Sequence, residues 1–498
     1  MEYLSYKQAA RFLDYATMGI RAGDIDKLLE IDDRHAWIDQ QLEEPYSFHV
    51  KQLYEQQNQR SEPTLSQEMR VCAWFDIAFW SGAQLRQRMA FALSQILVVS
   101  DRDPQLKPFA KAVANYYDLL TTHAFSNYKT LLYEVTRSPV MGHYLTMVGN
   151  LPKSETGVNP DENYARELMQ LFSIGLEELN MDGSLKLDVN GLPVATYDDS
   201  DVENMARVFT GWFMTDGSMI DPMTADSLYH DQEEKLILGN TIPAGLTPEQ
   251  DLDLVLDILI NHPNTAPFIS KLLIQRFVTS NPKPAYIERV ATVFANTGGQ
   301  LSEVIKAVLL DPEIETINNI HRTKVREPIL AMTYFCRALD CRPGASGLIN
   351  YDALSYQDTF NQYPLGAPSV FNFFSPDYLP SGSLSDLNLA SPELSIIDWN
   401  QVIKLSNVVW RLLRNNGFNT GSNTPQDLYP NLELLLSVAE DYEQVIEVIK
   451  RRFFYGDLPA DLAPRFQDIW AARADKRVAL APMLYLAFVS PSFMVQES

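Results

Sequence analysis

The residues of this 498-residue chain that could do chemistry gather in three places. His230 and Asp231 are adjacent in a stretch without helical periodicity, and Lys235 follows four residues on. A histidine beside a carboxylate can serve as general base or metal ligand, and the lysine can hold an anionic group. Asp216, Asp221 and Asp226 precede them and offer the oxygen ligands a hard cation takes, so a divalent metal is a candidate cofactor, although no EF-hand spacing is present. The second place is the run from Asn159 to Gly175. It carries Glu162 and Glu167, with Asn163, Arg166 and Gln170 sharing roughly one helical face with Glu167. The third is Arg86 and Arg88, which could reach the carboxylates of residues 161–167. His230, Asp231, Glu162 and Glu167 are therefore the candidate catalytic residues. Arg86, Arg88, Asn163, Arg166 and Lys235 are the candidates for substrate binding. Each set also has a plain structural reading: turn and cap hydrogen bonds that order a loop, a solvated stripe with one ion pair, and a buried arginine–carboxylate network.

The elements that must position them are mostly helices. Asn159 is suited to cap a helix with Pro160 at its first position, Asp161 and Glu162 meet the positive end of the dipole, and Gly175 suits a left-handed stop. Glu162 and Arg166 are spaced for an ion pair. Upstream, helices are expected over 5–18, 24–29, 34–42, 85–99, 108–121, 127–137 and 140–147. Residues 85–99 carry Leu85, Met89, Ala92, Leu93 and Ile96 on one face. Alternation at Leu185, Leu187 and Val189 before Asn190-Gly191 predicts a small β-hairpin near 184–197. A capped helix follows over 199–213, then a long loop over 214–250. Further helices are expected over 251–260, 265–278, 284–296, 301–309, 326–339, 397–414, 431–436, 441–453, 461–472 and 477–489. The irregular segment 342–400, centred on Phe371-Asn372-Phe373-Phe374-Ser375-Pro376, is too aromatic for a flexible linker. Three apolar helices end in Ser-Pro or Asp-Pro, at Pro139, Pro312 and Pro491, which reads as proline just past a helix end.

The fold class that follows is mainly α: a large irregular multi-helix body with a small β-hairpin insertion and long ordered loops. It is expected as a single body over 1–498. Its sub-regions are an N-terminal helical half (1–177), hairpin plus long loop (178–250), helical middle (251–341), irregular aromatic-rich segment (342–400) and C-terminal helices (401–498). A cleft is expected between the 85–99, 160–174 and 199–213 helices, covered by the 214–240 loop. A binding module would instead show a broad aromatic groove using Phe371, Phe373, Phe374 and Tyr378.

Composition excludes several classes. With 46% hydrophobic residues the chain can bury a substantial core. A net charge of −24 with no basic stripe argues against nucleic acid and anionic membrane surfaces. Three cysteines cannot make a disulfide framework, and Cys336 with Cys341 reads equally as a pair or as two thiols. His123, His143 and His262 read as structural. No run is apolar and long enough for a membrane span. No phosphate-binding loop or nucleophile elbow is present.

Several segments together resemble a known family. Ala10-Arg11-Phe12-Leu13 with Gly19, Leu85-Arg86-Gln87-Arg88-Met89-Ala90-Phe91-Ala92-Leu93-Ser94 and Ser138-Pro139-Val140-Met141-Gly142 come first. Asn163-Tyr164-Ala165-Arg166-Glu167-Leu168, Ala206-Arg207-Val208-Phe209-Thr210-Gly211-Trp212, His230-Asp231 with Lys235, and Ser490-Pro491-Ser492-Phe493 follow in order. In this order they resemble the bacterial domain-of-unknown-function family 1800 (DUF1800) over nearly the whole chain. The resemblance implies an exported, periplasmic or extracellular bacterial protein. It also implies a possible companion, a second exported protein with an alkaline-phosphatase-like fold. It assigns no catalytic residues. Met1-Glu2-Tyr3-Leu4-Ser5 carries no signal-peptide pattern, which leaves a cytoplasmic location open. The expected role is an accessory or binding protein acting at a cell-surface polymer such as a polysaccharide, or with that second protein. The alternative is a hydrolase or lyase using a His/Asp/Glu cleft, with or without a metal.

Overall fold

Ser5 opens the first helix, Tyr6–Ala16, by a reciprocal cap: its hydroxyl accepts from the Gln8 backbone while the Gln8 side chain accepts from the Ser5 backbone. Asp198 with Asp201, and Thr247 with Gln250, make the same device at the Asp199–Val208 and Pro248–Asn261 helices. In this computed structural model, which describes residues 3–316, 324–344, 347, 349, 359–414 and 428–496, helices of this kind make up the body. Strands enter only as short antiparallel pairs among the described residues.

Two helices, His49–Arg60 and Gln67–Trp80, are absent from the expected set. The first buries only His49, Leu53 and Gln56, too few for a visible stripe. The second buries every residue from Met69 to Phe79, so its pattern has no polar face to set a period. Complete burial also marks Gln84–Ser94, where even Arg86, Gln87 and Arg88 are inside. This helix is thus central rather than one-sided, and it stops at Ser94 instead of continuing to Val99. One continuous apolar cluster runs from Ala9 to Phe493.

The chain ends are tied together by Arg326. Its guanidinium donates to both Asp14 oxygens at 2.7 and 3.0 Å, to the Tyr455 hydroxyl at 2.7 Å and to the Phe493 carbonyl at 2.7 Å. Val495–Gln496 pairs beside it with Lys324–Val325. Pro139, Pro312 and Pro491 do more than follow helix ends: each begins the next short helical segment, where a missing N–H costs nothing.

The hairpin is present as isolated bridges, Glu177↔Ala195, Leu179↔Leu185 and Leu187↔Pro193, closed at Asp188 to Gly191. The expected 214–250 loop is more structured than its sequence suggests. It contains Thr224–Ala225 paired with Trp212–Phe213, and Lys235–Ile237 paired with Asn240–Ile242. Part of the irregular segment, residues 345, 346, 348 and 350–358, lies outside the described residues.

Candidate ligand-binding groove

His230, Asp231 and Lys235 do come together, but around buried partners. His230 is enclosed, with Nε2 3.0 Å from Asp251 Oδ2 and Nδ1 2.9 Å from the Thr210 carbonyl. Lys235 Nζ lies 2.8 Å from Asp251 Oδ2 and donates to the Asp231 carbonyl at 2.5 Å. The Asp231 carboxylate is gripped by Arg207 at 2.9 and 3.0 Å. Burial alone would raise its pKa, but the Arg207 hydrogen bonds and charge hold it below the usual carboxylate range. Among the described residues no hydrogen bond or ion pair links this network to Glu162 or Glu167. The three aspartates upstream are not arranged as a cage. Asp216 and Asp226 cap local turns by accepting from Ser218 and Leu228, and among the described residues no cluster of three or more His, Cys, Asp or Glu could hold a metal ion. The three cysteines are buried and unpaired.

The signature helix begins at Asn163 and ends at Gln170, shorter at both ends than expected. Asn159 does not cap it; its amide donates to Glu203 at 2.8 Å. Asp161 instead accepts from the Asn163 backbone at 2.9 Å and from Thr146 at 2.7 Å, and Asn163 Nδ2 donates to Thr146 at 2.9 Å. Glu162 and Arg166 form the expected ion pair at 3.0 Å on a partly exposed surface. Glu167 faces inward. Burial pushes its pKa up against the pull of Arg166, and its Oε2 is buried without a hydrogen-bond partner. The Tyr197 hydroxyl is likewise buried and unmet, and its pKa is raised first by burial, with the Glu167 charge adding.

Arg86 and Arg88 do not reach this helix. Arg86 donates to the Thr121 and Leu42 carbonyls at 3.1 Å and lies between the Tyr46 and Phe125 rings, a packing clamp. Arg88 stacks on Phe277 at 4.7 Å and donates to the Arg276 carbonyl. Burial lowers its pKa to about 10, opposed by Glu327 and Asp14.

The open site lies on the far side of Arg276. A cavity of about 560 Å³ is bordered by the ends of three helices, which bring Gln95, Gln170 and the pair Gln275-Arg276 to one place. The hairpin base from Gly175 to Leu185 forms one wall, and the segment Val370 to Asp377 forms another. Phe268, Phe371 and Phe374 line it, with Phe371 57% exposed. Gly175 (φ +71°) makes room for Phe268, because a Cβ there would sit 2.8 Å from the ring. The 85–99 and 160–174 helices contribute only at their C-terminal ends, and neither the 199–213 helix nor the 214–240 loop borders this cavity.

The floor is polar and incompletely satisfied. Gln95 Nε2 donates to Glu327 at 2.5 Å and Gln275 Nε2 to the Ser280 and Pro376 carbonyls at 3.2 and 3.3 Å, but both Oε1 atoms lack partners among the described residues. Asn372, buried in a left-handed conformation (φ 66°), has both amide atoms unmet. Arg276 rests on the Phe374 ring at 4.8 Å, and its guanidinium makes no hydrogen bond among the described residues. Buried polar groups are rarely left this way, and these belong to residues that border one cavity, a pattern common at ligand sites, although the unmet amide atoms themselves are covered.

The family profile described as a protein of unknown function (DUF1800) matches residues 11–495. The chain belongs to the DUF1800 family. No curated protein and no solved structure matches it.

In this DUF1800 protein the resembling segments divide into two groups. Phe493 and Arg207 serve the core and the buried network, whereas the Gln84–Ser94 and Asn163–Gln170 helices deliver Gln95 and Gln170 to the groove. Sequence reasoning passed over Gln95, Gln275, Arg276 and Asn372. A signal was present: Leu93-Ser94-Gln95-Ile96-Leu97 and Leu273-Ile274-Gln275-Arg276-Phe277 each put a polar side chain inside an apolar helical run. Of the expected aromatics, Phe371 and Phe374 line the groove, while Phe373 and Tyr378 do not.

Proposed function

We propose that this protein is a binding protein that holds a saccharide chain of a cell-surface polymer in the groove walled by Phe268, Phe371 and Phe374. One observation carries the reading: the amide side chains of Gln95, Gln170, Gln275 and Asn372 share one cavity with the Phe268, Phe371 and Phe374 rings. A sugar answers both halves of that surface. Its hydroxyls donate and accept, and its C–H faces pack on rings. The working place in this proposal is periplasmic or extracellular, with a second exported protein of alkaline-phosphatase-like fold as companion. The test is retardation in native gels cast with a panel of polysaccharides, comparing wild type with Phe371→Ala and Asn372→Ala. Phe371 is largely exposed, so its loss leaves the core intact. Retardation by one polymer, weakened in both variants, supports the proposal; no retardation by any polymer overturns it.

A hydrolase or lyase acting on the same polymer is the second reading, and Glu167 favours it. Burial raises the pKa of its carboxyl, which lies beside an unmet Tyr197 hydroxyl, one turn before the groove residues Gln170 and Leu171. New reducing ends or unsaturated products released from a bound glycan, and abolished in Glu167→Gln while binding persists, would establish it.

A further inference from the structure

The groove floor is built on buried charge. Behind Arg276 stand Arg88, Lys324, Glu327 and Glu393, all nearly or fully inaccessible. Lys324 is paired with Glu393 and lies 4.0 Å from Glu327. Glu327 also accepts from Gln95 and Gln362. Arg88 faces Glu327 and Asp14, but Asp14 is already held by both nitrogens of Arg326. Arg276 faces Glu327 and Glu393, neither within hydrogen-bonding reach of it. Setting aside the balanced Arg326–Asp14 pair, the block holds three cations against two carboxylates among the described residues.

The surplus is positive, and its outermost member is the one that lines the cavity. Arg88 answers the carbonyl end of the Thr265–Phe277 helix by donating to the Arg276 carbonyl, so the Arg276 guanidinium is not needed there. The other charges on the groove are nearer the rim. Lys271 and Asp377 neutralise each other at 3.0 Å, and Glu177 is exposed on the hairpin. A buried, unpaired cation is costly unless a counter-charge completes it. Arginine presents a planar fork that matches a carboxylate, and Phe374 holds that fork flat.

We infer that the saccharide taken by the groove is an acidic one, whose sugar carboxylate seats on the Arg276 guanidinium among the Gln95, Gln275 and Asn372 side chains that line the groove. This rests on the saccharide reading above and narrows it to uronate-bearing chains. The neighbouring Phe371 and Phe374 rings take the C–H faces of the adjoining sugars.

The matched probe is an oligouronate and its own methyl ester, which differ only in the charge. Oligogalacturonate and oligomannuronate, their methyl esters, and neutral cello- and malto-oligomers are titrated calorimetrically into the full chain. One acid should bind about 10- to 100-fold more tightly than its ester, the range expected for hydrogen bonds to a charged group. Arg276→Gln should bring acid and ester level while Asn372→Ala weakens both. If acid and ester bind wild type equally, or neutral oligomers bind better, the acidic inference is overturned and the saccharide reading stands. If no oligomer binds, the saccharide reading fails and this inference fails with it. An Arg276→Gln variant that keeps the wild-type preference would also overturn the assignment. The acid-to-ester ratio is measured on wild type, so it decides the question even if that variant does not fold.

Discussion

Replacing Asp251 with alanine tests whether the His230–Lys235 network holds the fold or does chemistry. Asp251 is fully buried, and one of its oxygens takes both Lys235 Nζ at 2.8 Å and His230 Nε2 at 3.0 Å. The substitution leaves Lys235, about 1% exposed, with its nearest remaining carboxylate oxygen on Asp231 3.9 Å away and already committed to Arg207. Breaking a buried ion pair from one side costs about 3–5 kcal/mol, because the stranded charge cannot reach water. Asp231 can recover only a fraction, so the loss should be at least about 3 kcal/mol. Removing the cation as well relieves the fault. The double variant Asp251→Ala/Lys235→Met should therefore be more stable than Asp251→Ala alone, a coupling of the sign that double-mutant cycles resolve. Urea unfolding followed by far-UV circular dichroism and by pulse proteolysis gives the free energies by two probes. An Asp251→Ala variant within about 1 kcal/mol of wild type, or simple additivity in the double, would refute the structural assignment. A Lys235→Met variant that folds normally, binds the groove ligand and loses a measurable turnover would favour the hydrolase reading instead.

Other outcomes follow from the same geometry. Gly211 (φ +81°) would place a new Cβ 2.7 Å from the Asp226 carbonyl and 3.1 Å from the His230 nitrogen, so Gly211→Ala should lose more than the roughly 1–2 kcal/mol of left-handed strain alone. Gly191→Ala, at φ +80° with nothing nearby, is the control that shows strain only in the same urea series. The Asp231 carboxyl is held low by Arg207. Its contribution is present above the unfolded value near 4 and is lost as pH falls through the lower folded value, so Asp231→Asn should flatten the acid limb of stability against pH. Glu167 has the opposite sign. Its raised folded pKa contributes stability that is full below the unfolded value and is lost as pH rises through the folded one, a slope that Glu167→Gln should remove and a carboxyl NMR titration should locate. Arg326→Met should destabilise strongly by stranding the buried Asp14, and Asp14→Leu in the same chain should recover part of the loss in thermal unfolding.

Much of the helical architecture was legible because helix starts are local. Asp198 announces its helix within four residues, and a side chain that satisfies a free N–H does so whatever the rest of the chain is doing; Ser5 and Thr247 carry the same signal, although Thr247 lies in the stretch expected as loop. Asn159 shows the limit of that signal. It has the right type and spacing before Pro160, yet Glu203 offers its amide a better partner and the helix waits for Asp161 and Asn163. Arg86 and Arg88 show another. Their place suggests a reach to the carboxylates of residues 161–167, and only the packing of helices distant in sequence reveals that their guanidinium groups lie on rings inside the core.

The candidate site turned on a distinction that sequence expresses only in part. A sequence displays which side chains are costly to bury: Lys235 and His230 on one hand, Gln95, Gln275, Arg276 and Asn372 on the other. It does not display whether the chain brings them a partner. For Lys235 and His230 the partner is Asp251, contributed by the first turn of a separate helix, and the cost is met inside the molecule. For the groove residues, partners for Gln95 Oε1, Gln275 Oε1 and the Asn372 amide are missing among the described residues, and Arg276 finds a ring but no carboxylate. The conspicuous His-Asp-Lys constellation is thereby explained by folding alone. The inconspicuous amides in apolar runs are not, and their shared cavity gives them a common reason to remain polar.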